Sequence, residues 1–586
     1  MRMERHQVSG AAVSAAREDF TNRIGGHVRS LSRGGRMATY AWQSIADEFL
    51  DHLGALSVES PDLDSAEAKA VLKDAAEAAA GAVAYAAYHP HCSFSVFLSY
   101  VNFGMSYDPG EDAPAESVTP GEWTDALCLA VLTDRATWHG EAFHFARQKF
   151  EAKAQGTPGG ELATGLTAVV LDHTGDDEEY PPSTRARIAA VDAALERVRA
   201  RAEASGEPLL DRSDSVALRA LRALAAEDRP AFDTALADLL ARESAVHGPS
   251  APPSSLLPLV PIALGALAYR TLGWAPAVRT DYLPHALVTG FETRGPRVGG
   301  LGRDRRPDAV AALAAGPLVV ERPACERKVS AEVEAMYEED LREAFTPVDG
   351  ASLSLRKLES VMGDQERLFL WRSAGSGDLT DAQRTSLRLA AQAGAALFRV
   401  ALAEPGTDAE VTVDGRTLRY PGGGKVTAGA HNWQTATAFA LITGVRENLA
   451  PLVLTGPAFA GPDRSAFGPY RAALHAYLKG AEPERAAQRA LQYAESAKDW
   501  GFAMPPTVLL SQLVEGDEES FNLALADALE AHRAHYQVAD RVDDPEAAVN
   551  LDVLALVCHA RRRGWAIRVE SPYLPRDLVR SAEPFS

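Results

Sequence analysis

The chain has 586 residues, 46% of them hydrophobic and 24% charged, with aromatics at only 7%. That length exceeds what one core organises, so two or more domains are expected, and a Leu- and Ala-rich, aromatic-poor composition favours helix over strand. A formal charge of −21, from 59 basic and 80 acidic residues, argues against a broad nucleic-acid-binding face and suits either simple solubility or a basic protein partner.

Cys92, Cys128, Cys325 and Cys558 include no close pair, so neither zinc-knuckle spacing nor a disulfide framework is visible. The opening Met-Arg-Met-Glu-Arg-His lacks the apolar stretch of a secretory signal. The longest apolar run, Leu256 to Tyr269, carries Pro258 and Pro261, is shorter than a membrane span, and reads as a buried helix. A cytoplasmic protein with no membrane or nucleic-acid partner is therefore expected.

The first strong element is Leu72–Pro90, LKDAAEAAAGAVAYAAYHP. Small residues almost throughout let neighbouring helices approach closely, which places this helix centrally, and Pro90 ends it. Ser93–Tyr107 is rich in aromatic and β-favouring residues and predicts a short β-element. Trp123 opens an apolar helix, WTDALCLAVLTD. His139 and His144 stand five apart, whereas a zinc helix places its histidines four apart on one face, so they read as structural. Asp176, Asp177, Glu178 and Glu179 precede Tyr180-Pro181-Pro182-Ser183 as an exposed acidic loop, a candidate contact for a basic partner. A helical hairpin follows, turned by Glu227–Pro230. Its second helix lines up Phe232, Ala235, Leu236, Leu239 and Leu240 on one face, and Asp238 points off that face. Trp274 and Tyr282-Leu283-Pro284 close the passage and are expected to pack the last helix onto the body.

Residues 296–327 are rich in Gly, Pro and Arg (Arg297, Arg303, Arg305 and Arg306, after Arg294) and read as a solvated linker. Beyond them the same passages return in the same order. Leu387–Pro405 matches Leu72–Pro90 in length, leading Leu, Ala pair and closing Pro. Trp433 opens WQTATAFALITG, and Phe521 opens FNLALADAL as Phe232 opens FDTALADLL. Each Phe lies four residues after an Asp and eight after a Leu. Asp527 repeats Asp238, and Trp565 and Tyr573-Leu574-Pro575 repeat the closing aromatics. Gly516–Ser520 supplies the hairpin turn, with Ser520 as N-cap. Glu410–Tyr420 alternates around Asp414-Gly415, a β-hairpin signal. Pro421-Gly-Gly-Gly-Lys425 lacks the spacing and the Ser/Thr of a phosphate loop and reads as a turn. The expectation is a mainly α chain of two tandem related helical modules, 1–295 and 328–586, each with a short hairpin.

Asp228, Phe232–Leu240, Leu256–Leu264, Trp274 and Asp281–Val288 resemble the immunity-49 proteins of bacterial polymorphic toxin systems. The resemblance covers most of 1–295, and 328–586 is similar as a more diverged copy. Two departures stand out: two copies in one chain, and Asn550-Leu-Asp-Val-Leu-Ala-Leu-Val-Cys558 in place of the apolar Leu256–Leu264. The resemblance implies a non-catalytic protein that binds a cognate toxin effector domain and neutralises it by occlusion, without catalytic, cofactor-binding or metal-ligating residues. From charge alone, a basic nuclease is the toxin class that fits. Partner-binding candidates are Asp176, Asp177, Glu178, Glu179, Asp238 and Asp527; Trp123, Trp433, Phe232, Phe521, Trp274, Trp565, Tyr282 and Tyr573 are expected to be structural. The alternatives are a helical interaction scaffold or regulator, and a helical enzyme, which would need a coordinated ion or a deep cavity of paired acids and histidines.

Overall fold

The computed structural model describes residues 2–110, 116–174, 180–291, 295–323, 330–345, 355–375, 379–422, 429–457, 463, 465–497 and 503–584. The acidic run Asp176, Asp177, Glu178, Glu179, the glycine-rich 423–428 and Cys325 lie outside them. The chain forms two compact units, Met1–Thr293 and Arg294–Ser586.

The first module runs α1 (Gly10–Arg17), α2 (Phe20–Arg33), α3 (Thr39–Glu59), α4 (Ala66–Tyr88), β1 (Phe94–Leu98), β2 (Phe103–Tyr107), α5 (Pro120–Leu132), α6 (Gly140–Ala154), α7 (Pro158–Val170), α8 (Thr184–Ser205), α9 (Ser213–Ala225), α10 (Arg229–Val246), α11 (Leu259–Leu272) and α12 (His285–Thr289). The second runs α13 (Pro307–Ala315), β3 (Leu318–Val319), α14 (Ala331–Ala344), α15 (Leu355–Gly375), α16 (Asp381–Leu402), β4 (Asp408–Val413), β5 (Arg416–Pro421), α17 (Ala430–Thr443), α18 (Arg446–Thr455), α19 (Phe467–Lys479), α20 (Pro483–Ala497), α21 (Thr507–Glu515), α22 (Glu518–Tyr536), α23 (Leu551–Arg562), β6 (Val569–Glu570) and α24 (Arg576–Arg580). The fold is mainly α, and from α3 and α15 onward the two element orders coincide except for β6 between α23 and α24.

Local chemistry explains the shared frame. In α4, Gly81 lets Val96 and Trp42 close in, since a Cβ there would meet a Val96 methyl at 3.0 Å and the Trp42 ring at 3.4 Å. In α16, a Cβ on Gly394 would stand 2.7 Å from Ala436 Cβ of α17. Both hairpins are antiparallel, β1–β2 pairing Phe94 with Tyr107 and β4–β5 pairing Val413 with Arg416. Asp414 and Gly415 both take positive φ, +52° and +73°, which a two-residue primed turn requires. Thr119 and Glu122 form a reciprocal capping box on α5, with Pro120 at its first position, and Thr380 and Gln383 do the same on α16.

The aromatics make the same contacts twice. Trp123 and Trp433 are fully buried and donate Nε1–H to the carbonyls of Phe143 and Leu452, at 2.8 and 3.0 Å. Phe232 and Phe521 are buried against Trp274 and Trp565, with centroids 5.9 and 5.4 Å apart. Tyr282 and Tyr573 are buried, each with its backbone N–H donating to a hydroxyl two residues back. Arg270, the twelfth residue of α11, donates to the last carbonyls of α5, Val131 and Leu132. Arg562, twelfth in α23, donates to Leu441 and Ile442 at the same end of α17. The apolar stretch Pro253–Leu272, long and apolar enough to cross a membrane by composition, is more than half buried within its module.

Two expectations are corrected. The arginine-rich stretch 296–327 is not a solvated linker over its described part. Val298 is fully buried, and Ala309 and Leu313, four apart on α13, enter the second module's core. β3 pairs in parallel with β6, and Arg297 and Arg305 are held by acids of α22. The N-cap of α22 is Asp517, whose carboxylate accepts the Ser520 N–H (3.0 Å) and hydroxyl (2.8 Å); Ser520 lies inside the helix. A carboxylate is the better cap because it meets the positive end of the helix dipole.

Candidate functional site

Asp238 and Asp527 occupy equal sequence positions yet do different work. Asp238 is half-exposed and ion-paired one turn along its own helix with Arg242 (3.0 Å), an arrangement that contributes about 0–1 kcal/mol. Asp527 accepts the backbone N–H and the guanidinium of Arg297, at 2.6 and 2.8 Å, while Glu530 takes the other guanidinium face. Burial pushes the Asp527 carboxyl up even with Arg297 beside it. Its hydrogen-bonding capacity is turned inward, to fasten the segment before α13.

A cluster of polar residues recurs at the same place in both modules, where the middle of the first long helix (α3 or α15), the first turns of α5 or α17 and the C-terminal part of α10 or α22 meet. In the first module Asp47, Glu122, Asp125, Asp214 and Glu243 gather there. Burial, then the charges of Asp214, Asp47, Glu122 and Glu243, raise the Asp125 carboxyl to about 7. Asp125 nonetheless keeps an exposed surface. Water therefore reaches Asp125, so these charges are screened as well as crowded. Burial also raises Asp47 and Asp214. Glu122 is partly committed to its capping box and Glu243 pairs with His247 at 3.3 Å.

The second module has different chemistry on the same frame. Two residues after the tryptophan, Asp125 is replaced by Thr435. Eleven after the phenylalanine, Glu243 is replaced by His532. At the second position of the helix that follows, Val260 is replaced by Asp552. Here the cleft deepens into a cavity of about 350 Å³, lined among others by Glu366, Gln434, Arg471, His532, Tyr536, Glu546 and Asp552. Arg471 pairs with Asp463 and donates from Nε to Gln434 at 2.6 Å, and Gln434 in turn donates to Asp552. Tyr536 donates to Glu546 at 2.8 Å. Burial, then repulsion from Glu546 and Asp552, raises the Glu366 carboxyl to about 7. Burial raises Asp552 to about 6 against the pull of Gln434 and Arg471. Burial lowers His532 to about 4, so it is neutral at physiological pH.

Acids and histidines in a cavity are what the enzymatic alternative required, so their relation matters. His532 contacts the Asn550 amide through Nδ1 (3.3 Å), not an acid, and the acids are hydrogen-bonded to neutral groups or face one another. Among the described residues no group of three His, Cys, Asp or Glu is placed to hold a metal ion. The arrangement is suited to holding positive charge. None of these cleft residues belongs to the sequence candidates. The available signal was a polar residue inside an otherwise apolar helix, as with Asp125 and Asp552.

Two helical modules of one design, each with a polar cleft on a repeated frame, define a tandem-duplicated helical protein. The family model for immunity protein 49 matches residues 61–287 and again 376–578, and the chain belongs to that family in two copies. No curated protein and no solved structure matches it.

Proposed function

We propose that this protein binds a bacterial toxin effector domain, of the kind deployed in polymorphic toxin systems, and neutralises it in the cytoplasm by occlusion rather than by catalysis. The carboxylate-lined cleft of the first module is the contact surface, and a basic toxin, such as a nuclease domain, is the partner its charge fits. The observation that supports this most directly is Asp125 standing among Asp47, Glu122, Asp214 and Glu243, whose charges all act on its carboxyl. Such an acidic cluster accelerates encounter with a basic partner and selects against acidic ones.

The test is capture of toxin domains encoded beside this gene by the full-length chain, with rescue of cells expressing them. Asp125→Lys is expected to slow association about tenfold or more at low salt and to weaken rescue. Undiminished capture by that variant places the interface elsewhere; absence of capture and rescue across all neighbouring toxins defeats the reading. A scaffold reading draws on one observation, the differing chemistry of two homologous clefts. It predicts two partners captured independently, one abolished by Asp125→Lys and the other unaffected.

A further inference from the structure

Among the described residues, three carboxyl groups and one guanidinium line the cavity of the second module. Glu366 of α15, Glu546 before α23 and Asp552 of α23 face it together. Arg471 is the cation on its wall, and it is engaged by Asp463 and Gln434. Glu366 makes no hydrogen bond or ion pair with another described residue, and its carboxyl is repelled by Glu546 and Asp552. His532, 8% exposed, lines the same cavity, and its Nε2 has no hydrogen-bond partner although the backbone of Glu546 and Ala547 approaches the ring. Asn550 donating to Nδ1 leaves the ring proton on Nε2, on the side of the Glu546 and Ala547 backbone. Buried polar atoms are nearly always satisfied, and buried carboxylates are nearly always paired. Here the carboxyl of Glu366 departs from that rule inside a cavity with room for the group that would pair it.

We propose that this cavity is a binding site for a guanidinium or ammonium group carried on a short chain. The volume, about 350 Å³, lies at the small end of ligand sites and suits one basic side chain or a small amine rather than a nucleotide. A cation seated between Glu366 and Asp552 removes the repulsion that the empty cavity retains. A planar guanidinium also offers two parallel donors to one carboxylate, the geometry that makes such pairs strong. Two sources share this chemistry: a free amine, and an arginine or lysine side chain of a partner protein. The inference stands apart from the toxin reading, because it concerns the other module and is tested without a protein partner.

Titration calorimetry of the full-length protein with agmatine, Nα-acetyl-arginine amide and Nα-acetyl-citrulline amide tests it. Citrulline keeps the shape of arginine and lacks its charge. Saturable binding of at least one cationic probe is expected, with the citrulline probe at least about tenfold weaker, and with affinity falling about tenfold or more in Glu366→Gln. Glu366 has no hydrogen bond or ion pair with a described residue to lose, so the thermal midpoint of Glu366→Gln should be retained or raised. Asp552→Asn provides a second loss of charge, read against its own thermal midpoint. Equal affinity for agmatine and the arginine probe identifies a free amine; tighter binding of the arginine probe identifies a partner's side chain. No saturable binding of either cation at millimolar concentration, equal binding of the citrulline probe, or unchanged affinity in Glu366→Gln overturns the proposal.

Discussion

The clefts of the two modules share their helices and differ in their charges. The first gathers carboxylates around Asp125, which stays exposed to water. The second borders a cavity of about 350 Å³, exchanges two of those positions for Thr435 and His532, and gains Asp552 from the start of α23. The surrounding frame did not have to change for this. Trp123 and Trp433, Phe232 and Phe521, and Arg270 and Arg562 make matching contacts around both. Duplicated modules can therefore diverge at the mouth of a cleft while the interior stays fixed, because packing constrains the buried face of each helix more tightly than its polar positions.

The largest expected effect tests the common frame. Trp123→Ala and Trp433→Ala each remove a fully buried ring and its indole hydrogen bond, so each should cost about 3–5 kcal/mol in urea unfolding. Clearly unequal losses would break the equivalence of the modules. Next is the contrast between the paired aspartates. Arg297→Ala leaves Asp527 and Glu530 facing an empty space and should cost about 2–4 kcal/mol, whereas Asp238→Ala should stay within about 0.5 kcal/mol.

The third prediction concerns pH. Glu366 is raised to about 7 in the folded protein, above its ordinary 4.5. Between those values the folded state binds more protons than the unfolded one, so this group costs stability progressively as pH rises from about 4.5 to about 7. Glu366→Gln should therefore be more stable than wild type by about 1–3 kcal/mol at pH 8, with the difference vanishing below pH 4.5 in thermal melts. Asp125→Asn should show the same sign over a similar window, with a smaller amplitude because water reaches that carboxyl. An Asp125 effect equal to that of Glu366 would mean that the two clefts are equally enclosed.

The duplication was legible because its markers are bulky aromatics at fixed covalent steps, and each makes one repeated contact. The hairpin at Asp414-Gly415 was legible because few residue pairs tolerate two positive φ angles. The stretch 296–327 was misread because glycine, proline and arginine look alike in a linker and in a packed strap. What distinguishes them is Asp527, 230 residues away from Arg297. The clefts were hidden for the same reason. Asp47, Asp125 and Glu243 sit on three separate helices, and Glu366, Arg471 and Asp552 on three more, so no local pattern joins them. Acidic runs such as Asp176–Glu179 are conspicuous in one dimension, while a site is assembled in three.

Arg270 and Arg562 grip the far end of α5 and α17 by its terminal carbonyls, well away from the first turns that border each cleft. An engineer can exploit that separation: with one end of the helix pinned, its opposite tip becomes a socket whose lining is exchangeable. Transplanting threonine and histidine into the first module at positions 125 and 243, or the acidic pair into the second at 435 and 532, would begin to convert one receptor into the other without disturbing the clasp.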